Sequence, residues 1–225
     1  PEHITLTING IDTEKFSPAV SGASVREDLG LGDALVVGHV SRLDRASSLA
    51  ARQLIELAPR LEQTFPGVRI VITGGGEVYQ ELSQLAQAVN REMGRDCLVL
   101  TGPRTDISRL VAACDLFVGV SRSALEAMAA CRPVVLSGAQ GHTGLFVPEL
   151  LEKAVDTNFC CRTDPIADTD RLLSDVIAGL SLPEGERRRL GEYGRTVVKE
   201  RYSVQRMAQD SLSVYEQVRR RKYNV

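Results

Sequence analysis

Three observations in this 225-residue sequence predict an α/β fold, a doubly wound parallel sheet with helices on both faces. Short apolar runs alternate with segments of helical period, the runs are rich in Val, Ile and Leu, and several of them stop at glycine or proline. Strands separated by helices of roughly 10–15 residues imply right-handed crossovers and a sheet buried on both sides. Such sheets bind ligands beyond the carboxyl ends of their strands, where strand order reverses. Functional residues are therefore expected at strand-to-helix junctions.

The elements follow in order. Residues 34–40 (ALVVGHV) are the first apolar run and predict a buried strand. Leu49, Leu54, Leu57 and Leu61 recur at helical spacing within 48–63. Residues 68–73 (VRIVIT) are mostly β-branched and stop at Gly74, Gly75 and Gly76, a strand and its turn, before an amphipathic helix at 77–91. A third strand, 97–101 (CLVLT), is broken by Gly102 and Pro103. A helix at 107–113, a strand at 116–118, a helix at 123–130 and a strand at 133–136 keep the rhythm. A weaker strand is expected at 158–161, then helices near 168–180, 184–200 and 204–222. Residues 1–20 look like an entry segment, 21–200 like the domain, and 201–225 like a polar closing helix with Tyr202, Met207, Leu212 and Tyr215 available for docking. Its tail, Arg219, Arg220, Arg221 and Lys222, suits a helix C-terminus, where cations complement the macrodipole. Contact with acidic lipid is the other reading of that tail.

Composition narrows the function. Hydrophobic residues are 43% and charged residues 25%, the balance of a soluble globular domain. A net charge of -2 gives no global reason to expect nucleic acid or acidic membrane as a partner. No apolar run approaches the ~20 residues that span a bilayer and no signal peptide opens the chain, so membrane association is expected only through a longer protein. The first residue is Pro1 rather than Met, so a fragment is expected. Cys97, Cys114, Cys131, Cys160 and Cys161 are odd in number and lack metal-ligand spacing, which suits reduced thiols in a cytoplasmic protein with no bound metal.

Two junctions carry the chemistry. Ser41, Arg42, Leu43, Asp44 and Arg45 follow the first strand directly. A guanidinium there can hold a diphosphate through charge-assisted hydrogen bonds; a solvated strand-end arginine is the plain alternative. Residues 121–128 (SRSALEAM) follow the fourth strand. Small polar residues suit a helix start, whose free N–H groups bind an anion without any basic side chain. Ser121 or Ser123 is a candidate N-cap with Glu126 completing a capping box; alternatively the Glu126 carboxylate accepts from two ribose hydroxyls. Gly74, Gly75 and Gly76 let backbone approach a ligand, or simply turn the chain. In the flexible loop 138–144 (GAQGHTG), His142 is either a sugar or phosphate contact or a surface histidine. Asp168, Thr169 and Asp170 have a D-x-D spelling found at metal sites, but they open a helix beside no apolar strand and are assigned to helix capping.

Taken in order, these segments resemble the retaining, nucleotide-sugar-dependent glycosyltransferases of the GT-B fold, in particular their C-terminal, Rossmann-like half. Residues 9–18 (NGIDTEKFSP) look like the family's entry into that domain, and 42–45 (RLDR) like its phosphate-binding arginine segment. Residues 71–76 (VITGGG) are similar to its V-I-x-G-x-G turn, and 113–118 (ACDLFV) to its A-A-D-x-F-V strand entry. Residues 125–130 (LEAMAA) with 132–135 (RPVV) resemble its strongest signature, and Tyr202-Ser203 its C-terminal end.

The resemblance implies a nucleotide diphosphate sugar as donor, with no cofactor and no metal. Arg42 would hold the diphosphate and serve catalysis by stabilising it as it departs, with Arg45 as a second cation. The helix start at Ser121, Ser123 and Ala124 would cap the diphosphate, Glu126 would bind the ribose, and Gly38 and Gly75 would line the nucleotide. Pro103 and Arg104, after Gly102, would contact the base largely through backbone. Arg122, Gly141 and His142 are the candidates for sugar recognition. The acceptor would come from a missing N-terminal domain, toward which 201–225 would pack, so this piece alone would be inactive. Two positions depart from the pattern. Ser47 stands where the family usually has a lysine, and a lost cation at a leaving group can cost orders of magnitude in rate. Val118 stands where the first of its paired glutamates belongs, and the loop from there to Glu126 is too short for the usual sugar contacts. These departures keep open a degenerate, non-catalytic nucleotide-binding or scaffold domain and a GT-B-fold sugar-nucleotide epimerase.

Overall fold

A computed structural model describes residue 5 and residues 7–223. The strands are β1 (Val36–Val40), β2 (Arg69–Thr73), β3 (Leu98–Gly102), β4 (Leu116–Gly119), β5 (Val134–Gly138) and β6 (Gly141–Leu145), forming one sheet in the order β3-β2-β1-β4-β5-β6. The first five are parallel, each reached from its predecessor through a helix. Each apolar run of the sequence becomes one of these strands because both faces of the sheet are buried.

On one face lie α2 (Leu49–Thr64), α3 (Tyr79–Met93) and α7 (Thr169–Ser181). Leu54, Leu57 and Leu61 of α2 are fully buried there against Val37, Ile70 and Ile72, each burial stabilising by about 1.5–3 kcal/mol. On the other face, α5 (Ser121–Ala129) and α8 (Glu184–Arg201) cover Phe117, Val134 and Leu136. The short α1 (Ala23–Asp28) and α4 (Ile107–Ala112) close a third cluster around Val36 and Val71. Alternate strand residues thus face opposite layers, the period-two signature of a sheet. Asp168 caps α7 as the sequence suggested, its Oδ1 accepting from Arg171 N at 2.8 Å.

Two expectations fail between residues 138 and 161. The glycine-rich loop at 138–144 is instead strand β6, antiparallel on β5, with Gly138 opposite Gly141 and only Ala139 and Gln140 between them. Gly141 is required by packing, since a Cβ there would stand 1.9 Å from the carbonyl oxygen of Cys161. Residues 158–161 are not a strand but a left-handed turn after α6 (Leu151–Asp156), with φ of 52° at Asn158, 57° at Phe159 and 60° at Cys161. Their N–H groups are already bonded: Asn158 to Val155 O, Phe159 to Ala154 O and Cys161 to Thr157 Oγ1. No ladder donors remain. Phe159 is driven to the core, its ring 5.6 Å from Phe146 and 5.4 Å from Tyr202.

The entry segment is stitched to the closing helix α9 (Val204–Tyr223). Ile11 N donates to Tyr202 O at 2.7 Å, and Val204 N donates to Ile11 O at 3.0 Å. Arg195 of α8 donates to the carbonyls of Thr13 and Phe16 at 3.2 and 3.1 Å. Residues 1–4 and 6 of that segment, and the side chains of Arg220, Arg221 and Lys222 in the basic tail, lie outside the described residues. Among the described residues no helix is long and apolar enough to cross a membrane.

Candidate functional site

Strand order reverses between β1 and β4, and a cleft of about 620 Å³ opens beyond the carboxyl ends of those strands. The β1 end contributes His39, Ser41, Arg42 and Ser47; α5 contributes Ser121, Arg122, Ser123 and Glu126; the β5–β6 turn contributes Gly138 and Gln140. The two sequence motifs, some 80 residues apart, meet there because β1 and β4 are neighbours, with Val37 opposite Leu116 and His39 opposite Val118.

Neither serine caps α5. The N-cap is Val120 in extended conformation, and no side chain caps the helix. Ser121 is the first helical residue at φ 52°, a left-handed conformation rare outside glycine, held by its N–H donating to Phe159 O at 2.7 Å. Ser123 Oγ donates to Val120 O at 3.1 Å. The capping box therefore does not form, because Ser123 lies inside the helix and Glu126 one turn deeper. Glu126 instead accepts from Arg122 Nε at 2.9 Å. Its side chain is 13% exposed, and burial holds the carboxyl above the usual carboxylate range although Arg122 pulls it down. The first N–H groups of α5 lack intrahelical acceptors, and a helix start of this kind favours an anion.

Arg42 is 81% exposed and, among the described residues, meets only Asp44, at 3.7 Å. Ser47, in the place expected for lysine, gives its N–H to Asp44 Oδ1 at 2.8 Å. Arg45 lies outside the cleft lining and pairs with Glu77 at 3.5 Å. Val118 is fully buried in the sheet, so its side chain takes no part in the cleft.

Other expected site residues are placed elsewhere. Gly75 lines the cleft, and a Cβ on it would come within 2.8 Å of Pro103 Cγ. Pro103 itself does not line the cleft, and the Arg104 guanidinium is spent on Asp106 at 2.8 Å and Asp28 at 3.2 Å. Gly38 is buried in β1, where a Cβ would meet Cys114 Sγ at 2.3 Å, and Ala124 is buried in α5. Gly141 and His142 are absent from the cleft lining. His142 has a fully buried side chain and donates from Nε2 to Asp175 of α7 at 2.6 Å, so the surface-loop reading does not hold either.

The cleft also holds residues that the motifs did not single out: His39, Ser137, Gln140 and Cys160. A histidine inside an apolar strand was the one visible signal among them. Among the described residues no three His, Cys, Asp or Glu side chains are grouped to hold a metal ion.

The model of the family described as Glycosyl transferases group 1 matches residues 34–173, more than half of the chain and both motifs of the cleft. The chain belongs to this family. Among curated relatives, UDP-Gal:alpha-D-GlcNAc-diphosphoundecaprenol alpha-1,3-galactosyltransferase of Escherichia coli is 32% identical over 158 residues, 64% of this chain and 39% of the relative. D-inositol 3-phosphate glycosyltransferase of Stackebrandtia nassauensis is 31% identical over 173 residues, 65% of this chain and 38% of the relative. The chain thus matches about two fifths of the length of each. Among solved structures, Anabaena HepE in complex with UDP superposes with TM-score 0.69 at 23% identity, over 95% of this chain and 57% of that one. The C-terminal domain of a group 1 glycosyl transferase from Francisella tularensis superposes with TM-score 0.65 at 21% identity, over 87% of this chain and all of that domain. The architecture is the C-terminal half of a GT-B fold.

Proposed function

We propose that this chain is the donor-binding half of a retaining glycosyltransferase that moves a sugar from a nucleoside diphosphate sugar to an acceptor. The observation that carries the proposal is the meeting of Arg42, the uncapped start of α5 and the half-buried Glu126 in one cleft at the switch point. A diphosphate suits the guanidinium and the helix N–H groups. The Glu126 carboxylate suits two ribose hydroxyls, and Gly75 lines the same cleft. UDP is the first nucleotide to test, since HepE was crystallised with it.

In transfer, the bond from the anomeric carbon to the diphosphate oxygen breaks and a bond to the acceptor oxygen forms. The acceptor's proton leaves with the diphosphate. Arg42 and the α5 N-terminus stabilise the charge that develops on the leaving group, the kind of electrostatic term that contributes most to many enzymes. The acceptor is bound by a domain outside this chain, reached from the entry segment 1–20. Exposed Leu212, Tyr215 and Val218 on α9 support a closing helix, 201–225, that packs toward that domain. This chain alone is then inactive in transfer.

A second reading, a nucleotide-binding domain without transferase chemistry, is favoured by Ser47 and Val118. A thermal-shift panel of UDP, GDP, ADP and their sugar conjugates at millimolar concentration tests the first. Stabilisation lost in Arg42→Ala and Glu126→Ala supports donor binding, and no shift from any nucleotide rejects it. Binding without turnover in the longer protein selects the second reading.

A further inference from the structure

One hydrogen-bonded polar pair in the cleft has no part in that reading. His39 is 3% exposed at the end of β1. Its Nδ1 lies 2.8 Å from Val118 O and its Nε2 lies 2.9 Å from Ser41 Oγ. A carbonyl oxygen only accepts, so Nδ1 carries the proton. In the neutral ring Nε2 is then an acceptor, and the Ser41 hydroxyl must be the donor to it. Burial, which favours the uncharged imidazole, acts in the same direction.

The consequence lies at Ser41, which is half-buried and lines the cleft. Its only hydroxyl proton is committed to His39, so toward the cleft Ser41 Oγ is an acceptor. A diphosphate oxygen, itself an acceptor, finds no hydrogen bond there; a sugar hydroxyl does. The serine backbone is held in place. Ser41 N donates to Thr73 O at 3.1 Å, and Gly74 lies so close that a Cβ on it would stand 1.9 Å from Ser41 O. Adjacent residues thus present opposite chemistry: Arg42 suits the anion, and Ser41 suits a hydroxyl.

We infer that Ser41 is a specificity residue that accepts a hydrogen bond from a hydroxyl of the transferred sugar, with His39 as the positioning residue that fixes the polarity of the serine. The inference rests on the donor-binding reading above. It would give the cleft, from the β1 end, a sugar contact of the kind that Val118 does not supply.

The test is calorimetric titration of the chain with UDP and with UDP-glucose, or with GDP and GDP-mannose where the nucleotide panel selects guanine. Ser41→Ala is expected to weaken the sugar nucleotide about five- to tenfold, the size of a neutral hydrogen bond, and to leave the bare nucleotide unchanged. His39→Leu, which removes the acceptor for the serine proton, is expected to lose the same discrimination, and His39→Gln, whose amide oxygen can accept it, to keep most of it. A purely structural histidine would shift both ligands together and would not be rescued by glutamine. An unchanged ratio of the two affinities in Ser41→Ala overturns the inference; where both ligands weaken equally, the serine belongs to the ribose instead. Nucleotide binding that depends on Arg42 and Glu126 but shows no Ser41 discrimination sinks this inference alone. A wild-type chain that binds neither ligand sinks the donor-binding reading, and this inference with it.

Discussion

The β1–β4 cleft and the β6–α7 corner are built from similar residue types, yet only one of them is open to a ligand. At the corner, polar side chains are paired with one another: His142 Nε2 with Asp175 at 2.6 Å, its Nδ1 buried without a partner among the described residues, and Asp164 with both Lys153 and Thr143 at 2.5 Å. Those two partners hold the Asp164 carboxyl below its usual range against the opposing effect of burial. In the cleft, Arg42 has one distant partner and stands in solvent, and α5 begins without a cap. A charged residue marks a binding site when its hydrogen-bonding capacity is left over, not merely when it occurs at a strand end.

The strongest way to break this comparison is Gly141→Ala. The added Cβ meets the backbone oxygens of Cys161 at 1.9 Å and Asp164 at 2.6 Å, neither of which can swing aside. A loss of about 3 kcal/mol or more is expected in chemical denaturation. A loss below about 1 kcal/mol would show the corner to be plastic rather than locked.

Next in size is Arg42→Ala. A charge-assisted hydrogen bond contributes about 1.5–3 kcal/mol, so nucleotide affinity is expected to fall roughly ten- to a hundredfold. Because that side chain is exposed, the melting temperature of the free chain should stay put. A stability loss without an affinity loss would reverse the roles assigned to the two regions. His142→Ala is the mirror experiment. It leaves Asp175 without its buried partner and is expected to cost about 1–3 kcal/mol of stability, with nucleotide affinity unchanged.

The smallest effect sharpens the electrostatics. In the proposed donor site Glu126 would accept from two ribose hydroxyls best as the ionised carboxylate, and burial raises its pKa. Nucleotide affinity should therefore be full above that raised value and fall as pH drops through it, at a higher pH than for an ordinary carboxylate. Arg122→Ala removes the opposing charge and should move the fall to still higher pH by a few-fold change in affinity. Glu126→Gln should bind weakly with this pH dependence gone; a persisting fall would assign the titration to another group.

Much of the sheet was legible in the sequence because burial on both faces demands unbroken apolar runs. Residues 34–40, 68–73, 97–101, 116–118 and 133–136 each overlap an observed strand. Strand β6 was hidden because GAQGHTG has turn composition, and its glycines answer to Cys161, Asp164 and Asp175, residues distant in sequence. The turn at 158–161 was misread because its apolar and cysteine content suits a strand, while its N–H groups were already taken by α6. The short helices α1 and α6 fell in stretches without a periodic signal long enough to identify.

The sequence alone determined the order of the strands along the chain, the helices between them, the Asp168 cap and the two junctions that carry charge. Those are local properties, set by periodicity and by the side chains next to each turn. Only the tertiary structure decided which polar groups remain available: that Arg104 is tied to Asp28 and Asp106, that His142 is buried against Asp175, and that His39 turns the Ser41 proton away from the cleft. The physical reason is that hydrogen-bonding capacity is finite. Whether a group keeps any for a ligand depends on neighbours that can lie more than 70 residues away, as Val118 does from His39.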